Sequence, residues 1–370
     1  MKRRQFITLV GSAAVSRPIT SHTQQLDKTR LIGVLMGYAE SDSAPQSAVA
    51  AFRGGLAKLG WTEGRNVRIE LLWGNADPDR IGTFAKELVD LRPDVILSHT
   101  TPVTSALARE TRTIPIVFVN VADPIASGFA ASLARPGGNI TGLTIESPAQ
   151  GGKWVELLKE IEPHTVRMAL LFNPATAVPL QFFMPSIQAA ASSLAIQISN
   201  APVHAKDEIE GVIAAQARNP GGGLIVMPDS FHVVNRELII ALAARYGVPA
   251  NYWNRFFTES GGLITYGTDF VEQFRQVPEY VDRILRGEKP ADLPIQAPTK
   301  FELIINLKTA KTLGLDVPTS MQLLADLGDR IVAGCLLLAQ SGHSATEFRC
   351  PQLGLKRTRS LPLPRRAGWC

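Results

Sequence analysis

From Leu31 onward the chain repeats one pattern: a short apolar run, a polar loop, then a segment whose apolar positions recur every three or four residues. The apolar runs lie at residues 31–36, 67–72, 95–97, 116–119, 168–172, 196–201, 224–227 and 263–266. Between them, helix-period segments occupy 44–59, 80–91, 103–111, 152–161, 184–194, 207–217 and 236–246. Runs this short, alternating with helices, predict an α/β fold with parallel sheets covered on both faces. The stop signals agree, with Gly60 after Leu59, Gly247 after Tyr246, and Arg92-Pro93 closing the helix ahead of Val95. One set of strands precedes residue 145 and another follows it, which predicts two Rossmann-like lobes with a cleft between them. In open α/β sheets ligands sit beyond the carboxyl ends of the strands, so the loops after each apolar run are where binding residues are expected.

The first lobe offers Gly37 to Asp42 after its first strand, including Tyr38, then Ser98 to Thr104, then Asn120-Val121-Ala122-Asp123-Pro124. Thr100-Thr101-Pro102 carries the most information. Hydroxyls beside free amides at a helix N-terminus suit a carboxylate or phosphate, although either threonine could equally be a plain N-cap. The second lobe offers Asn173 to Thr176, Pro228 to His232, and Asn251 to Asn254. Asp229 could meet a ligand ammonium or cap the following helix, and Tyr252 and Trp253 could stack on a ligand or belong to the core. No G-x-S-x-G, H-E-x-x-H or G-x-x-x-x-G-K-[ST] occurs, and the glycines at 137–138 and 221–223 read as turns. His99 and His232 fall in cleft loops without an evident nucleophile beside them. No catalytic residue, metal site or cofactor is assigned.

Composition narrows the classes further. The 370 residues are 45% hydrophobic and 19% charged, enough for two packed domains and too apolar for disorder. The net charge of +5 is carried by the two ends, since residues 1–4 hold three positive charges and residues 349–370 hold six with no negative charge. The middle is mildly acidic, which argues against nucleic acid as a partner. All three cysteines fall at or after position 335, so no disulfide framework organises the body. Residues 1–25 pair Arg3-Arg4 with a short apolar stretch, the plan of a twin-arginine-like export signal. Residues 326–370 run into a basic, proline-bearing tail outside the predicted fold.

Several long phrases stand in a recognisable order: Glu63-Gly64-Arg65-Asn66-Val67, Arg92-Pro93-Asp94-Val95-Ile96, the stretches 114–124 and 132–142, then 261–267, 280–287 and 298–310. Together they resemble a large family of bacterial ABC-transporter substrate-binding proteins, of the tryptophan- and tyrosine-binding type, over roughly residues 29–320. The resemblance implies the type I periplasmic-binding-protein fold, with lobe 1 at 29–145 and 267–297 and lobe 2 at 146–265 and 298–325. Crossings are expected near 144–147, 265–268 and 298–301. It implies a monomeric, non-enzymatic periplasmic protein that delivers a small solute, an aromatic or branched-chain amino acid, to an ABC permease with its ATPase. A ligand-sensing module for a membrane receptor is the alternative, and an enzyme comes third. For an amino-acid ligand, Thr100, Thr101 and Thr104 are expected at the carboxylate and Asp229, Asp123 and Asn173 at the ammonium. Tyr38, Phe231 and Trp253 are expected to shape the side-chain pocket.

Overall fold

The computed structural model describes residues 29–144, 147–177 and 180–327. The expected export signal at 1–25 and all but the first two residues of the expected tail lie outside the described residues. The first part of the chain runs β1 (Arg30–Met36), α1 (Ser43–Lys58), β2 (Val67–Trp73), α2 (Pro78–Asp90), β3 (Val95–His99), α3 (Thr101–Glu110), β4 (Ile116–Val121) and β5 (Ile140–Thr144). The second continues with α4 (Gln150–Ile161), β6 (Arg167–Phe172), α5 (Met184–Ser193), β7 (Gln197–Pro202), α6 (Glu208–Ala217), β8 (Gly222–Val226), α7 (Ser230–Val234), α8 (Arg236–Arg245), β9 (Ala250–Tyr252), α9 (Arg255–Glu259) and β10 (Ile264–Gly267). The chain then forms α10 (Phe270–Leu285), β11 (Glu302–Ile305), α11 (Leu307–Thr312) and α12 (Thr319–Leu327).

Two sheets result. The first has strand order β2-β1-β3-β4-β5, all parallel. The second has order β11-β10-β9-β8-β6-β7 and is parallel except at its edge, where β11 lies antiparallel to β10. That edge departs from the all-parallel expectation, because an extended segment rather than a helix leads into β11 and lets it arrive from the opposite direction. Alternation in the first sheet shows why both faces needed apolar residues. Ile32, Val34 and Met36 of β1 enter one core cluster and Leu35 the other. Val95 and Leu97 part from Ile96 in the same way, and Val117 and Val119 from Ile116 and Phe118.

Elements that the periodicity passed over are short or interrupted. β9 has three residues, and β5 and β11 have five and four. α10 contains Pro278, a helix-interior residue that costs a backbone hydrogen bond. Asp269 starts that helix by accepting from the Val271 and Glu272 amides. α10 packs on α1 so closely that a Cβ at Gly55 would stand 2.5 Å from Pro278 Cγ, so Gly55 is what lets the two helices meet.

The chain returns from α10 along the free edge of β5. Gln296 donates to the Gly142 carbonyl and accepts from the Thr144 amide, while the Thr141 hydroxyl donates to the Leu293 carbonyl. Gln273 ties this region to the cleft, its Nε2 donating to the Thr144 carbonyl and its Oε1 accepting from the Asn120 amide. Gly142 has a φ of +153°, and a Cβ there would stand 2.1 Å from the Phe118 carbonyl oxygen. Gly142→Ala is therefore expected to lower stability by at least about 1–3 kcal/mol, the usual cost of overpacking. Urea unfolding at neutral pH checks this, and an unchanged midpoint would contradict the close approach of β4 and β5.

Candidate functional site

Ten of the described residues line a gap between the two sheets, and they lie at or just past the carboxyl ends of six strands. Tyr38, Thr100, Thr101, Pro102 and Asn120 come from the first sheet; Thr176, Pro228, Asp229, Ser230 and Trp253 come from the second. The space among them, including the part open to solvent, is about 260 Å³. An ion pair crosses between the same two units, where Arg236 at the start of α8 donates through both terminal nitrogens to the Asp42 carboxylate at the start of α1. Both side chains are mostly buried.

On the first wall the chain is strained. Thr100 sits at φ +84° and ψ 156°, a region that β-branched residues rarely enter. It occupies the N-cap position of α3 without a side-chain capping bond. The hydroxyls of Thr100 and Thr101 find no hydrogen-bond partner among the described residues, although both oxygens are buried. The plain-capping alternative for this loop is thus not what the geometry shows. Pro102 in the first turn of α3 has no N–H to satisfy, as suits a helix start.

Behind this wall lies a buried aromatic nest. The fully buried His99 ring stands edge-on to Tyr38, 4.3 Å between centroids, and contacts Phe270 at 5.3 Å. The Gly37 amide donates to His99 Nδ1 at 3.2 Å. One end of the Asn120 side-chain amide stands 3.1 Å from His99 Nε2 and 3.0 Å from the Tyr38 hydroxyl. Burial lowers the His99 pKa to about 3, so the ring is neutral at physiological pH.

The second wall is built around Asp229, which is 3% exposed. Its carboxylate accepts from the Asn173 amide at 2.7 Å, the Thr176 hydroxyl at 2.5 Å and the Phe231 amide at 2.9 Å, the last bond capping α7. His232 Nε2 lies 3.8 Å away. Burial of that ring lowers its pKa, and burial of Asp229 raises the carboxyl's, so neither charge is comfortable there. The Ser230 hydroxyl and Trp253 Nε1 are further buried polar atoms at this wall without partners among the described residues. Native proteins leave few such groups, and each calls for an explanation.

Five of the nine sequence-nominated residues, Tyr38, Thr100, Thr101, Asp229 and Trp253, line the gap. The other four do not. Thr104 is buried one turn into α3, donating to the Thr100 carbonyl and bonded to Ser98. Asp123 is turned back on its own loop, where it accepts from the Ala126 amide. Asn173 caps its own turn through the Ala175 amide and reaches the His204 carbonyl. Phe231 is half-buried against the core. Asn120 and Ser230 stood inside the loops singled out from sequence, but nothing in residue type set them apart. Thr176 and Pro228 carried no signal beyond position, whereas Pro102 belonged to the Thr100-Thr101-Pro102 step singled out from sequence. Among the described residues no cluster of His, Cys, Asp or Glu is arranged to hold a metal ion.

Residues 36–327 match the family described as ABC transporter substrate binding protein, and the chain belongs to it. A protein of Clostridioides difficile called tyrosine-binding protein is 25% identical over 302 residues, 78% of this chain and 82% of that one. A Streptococcus pneumoniae ABC domain solved in complex with L-Trp superposes with a TM-score of 0.73 at 23% identity, covering 80% of this chain and 99% of its own. A conserved domain protein of Vibrio cholerae gives 0.74 at 26% identity, with the same coverage. The fold is the type I periplasmic-binding-protein fold, two Rossmann-like lobes with the ligand cleft between them.

Two outcomes follow from this geometry. Between pH 6.5, where an ordinary imidazole titrates, and about 3, the unfolded chain holds a proton on His99 that the folded chain refuses. Stability should therefore fall as pH falls through that window, by about 1.4 kcal/mol per unit from this residue alone. Urea unfolding of the wild type and of His99→Gln at pH 7 and 4.5 should show a shallower loss in the variant, and equal losses would contradict the assignment. Thr100→Gly should release about 1–3 kcal/mol of backbone strain, less the roughly 0.5–1 kcal/mol that glycine costs in chain entropy. Its unfolding midpoint should match or exceed the wild type's, and a clear drop would show that Thr100 is not strained.

Proposed function

We propose that the protein captures an amino acid with an aromatic side chain outside the cytoplasm and delivers it to an ABC permease and its ATPase. The observation that carries this reading is the opposition of unpartnered donors on one wall to a buried carboxylate on the other. A zwitterion satisfies both. Its carboxylate, desolvated on entering the cleft, takes the Thr100 and Thr101 hydroxyls and the free amides at the start of α3, where the helix dipole favours negative charge. Its ammonium supplies beside Asp229 the cation that burial otherwise denies that carboxyl. Tyr38 and Trp253 bound the side chain, with the Trp253 N–H available to a polar ring substituent.

The relatives support the ligand class, since one is named for tyrosine and another was solved with L-Trp. In this reading the lobes are residues 29–145 with 267–297 and 146–265 with 298–325, hinged where the chain crosses near 144–147, 265–268 and 298–301. Closure is driven by contacts that only the approached lobes can make, from ligand to both walls and from Arg236 to Asp42. Thr104 then acts behind the site, holding the first turn of α3. The protein works as a monomer without a cofactor or bound nucleic acid. Among the described residues no helix is long and apolar enough to cross a membrane.

A thermal-shift panel of free amino acids, aromatic acids and sugars tests the proposal. L-tyrosine or L-tryptophan should raise the midpoint, because at about 100-fold above its dissociation constant a ligand adds about 2.7 kcal/mol of stability. A rise with sugars and none with any amino acid would overturn it.

A further inference from the structure

The imidazole of His99 decides which end of the Asn120 amide faces the ligand. Gly37 donates its N–H to His99 Nδ1, so that nitrogen carries a lone pair. A neutral ring with a bare Nδ1 holds its proton on Nε2, and the buried ring stays neutral because its pKa lies near 3. The group 3.1 Å from Nε2 must accordingly be an acceptor. An amide nitrogen there would set donor against donor in a buried site. The amide oxygen fits instead, its two lone pairs taking the Nε2–H of His99 and the O–H of Tyr38, 3.0 Å away. The two ends of a side-chain amide are alike in shape, and the hydrogen-bond network alone distinguishes them.

The opposite end of the amide has no partner among the described residues, and Asn120 lines the cleft. We infer that Asn120 presents its NH₂ to the ligand and donates to its carboxylate from lobe 1, beside Thr100 and Thr101, while His99 acts as the positioning residue that fixes this polarity. The inference rests on the amino-acid reading above and adds to it a further donor to the carboxylate, with the residue that sets that donor's direction. It also accounts for a fully buried histidine that stands behind the cleft wall and does not line the gap. Asn120 stands at φ +59°, a conformation that asparagine and aspartate tolerate better than other side chains.

That tolerance makes Asn120→Asp a clean probe. One carboxylate oxygen keeps the bonds from His99 and Tyr38, and the other replaces a donor with a negative charge facing the ligand. The first readout needs no ligand: long-range ¹H–¹⁵N spectra of the wild-type imidazoles at neutral pH. His99 should appear protonated at Nε2 and bare at Nδ1, and the opposite tautomer overturns the inference. The second is calorimetric titration with L-tryptophan and with tryptamine, which lacks the carboxylate. In Asn120→Asp the affinity for L-tryptophan should fall by about 10–150-fold, the range for a lost hydrogen bond to a charged group, while tryptamine binds as well as or better than it does to wild type. An equal loss for both ligands overturns the carboxylate assignment. If wild type binds neither L-tryptophan nor L-tyrosine, the amino-acid reading fails, and the tautomer is still decided by the spectra. A circular dichroism melt of the variant within a few degrees of wild type shows that the losses are local.

Discussion

The organisation of this protein depends on one constraint of parallel sheets: the strands all end on the same side. Every loop that leaves a carboxyl end is released from the ladder, so its amides and side chains must find partners elsewhere, as the Gly37 amide does on His99 and the Asn173 amide on Asp229. Two such sheets, turned so that those ends face each other, confront two polar rims across a narrow gap. Tyr38, Thr100 and Asn120 on one side, and Thr176, Asp229 and Trp253 on the other, are there because β1, β3, β4, β6, β8 and β9 stop there. The apolar interior that fills both faces of the first sheet makes this rim rigid enough to hold a threonine at a φ of +84°.

The chemistry of the rim is unusual in what it avoids. Among the described residues that line the gap Asp229 is the one Asp, Glu, Lys, Arg or His, and it is already surrounded by three donors. The opposite wall meets a ligand with neutral hydroxyls and amides. Neutral donors suit a protein that must let go as well as hold, because a buried counter-charge left unpaired after release would be costly. The two histidines next to the gap are kept neutral by burial, so they serve as fixed donors and acceptors rather than as charges.

Much of this was legible in the sequence. Alternating apolar runs and helical segments gave the layers, and the rule that ligands sit beyond strand ends picked out the loops of Tyr38, Thr100, Asp229 and Trp253. What was hidden had physical reasons. β9 is too short to show a period, and Pro278 disguised α10. Thr104 shares a residue type with Thr101 but sits a turn further along α3, where it points at its own helix. Asp123 and Asn173 spend their side chains on local turns, a choice that Asp and Asn make often and that residue type does not announce. The polarity of Asn120 could not be read from sequence at all, since it depends on a histidine 21 positions earlier and on a glycine amide in another loop.

The Arg236–Asp42 pair has a kinetic side. It spans the two units at a distance along the chain of 194 residues, and it shares Arg236 with the Val233 carbonyl. In the proposed reading a solute leaves only when the lobes part, and parting rehydrates both of these charges. The dwell time of the cargo would then be set partly by two side chains outside the lining of the gap, and because both are mostly buried, salt would do little to loosen the clasp while it is shut.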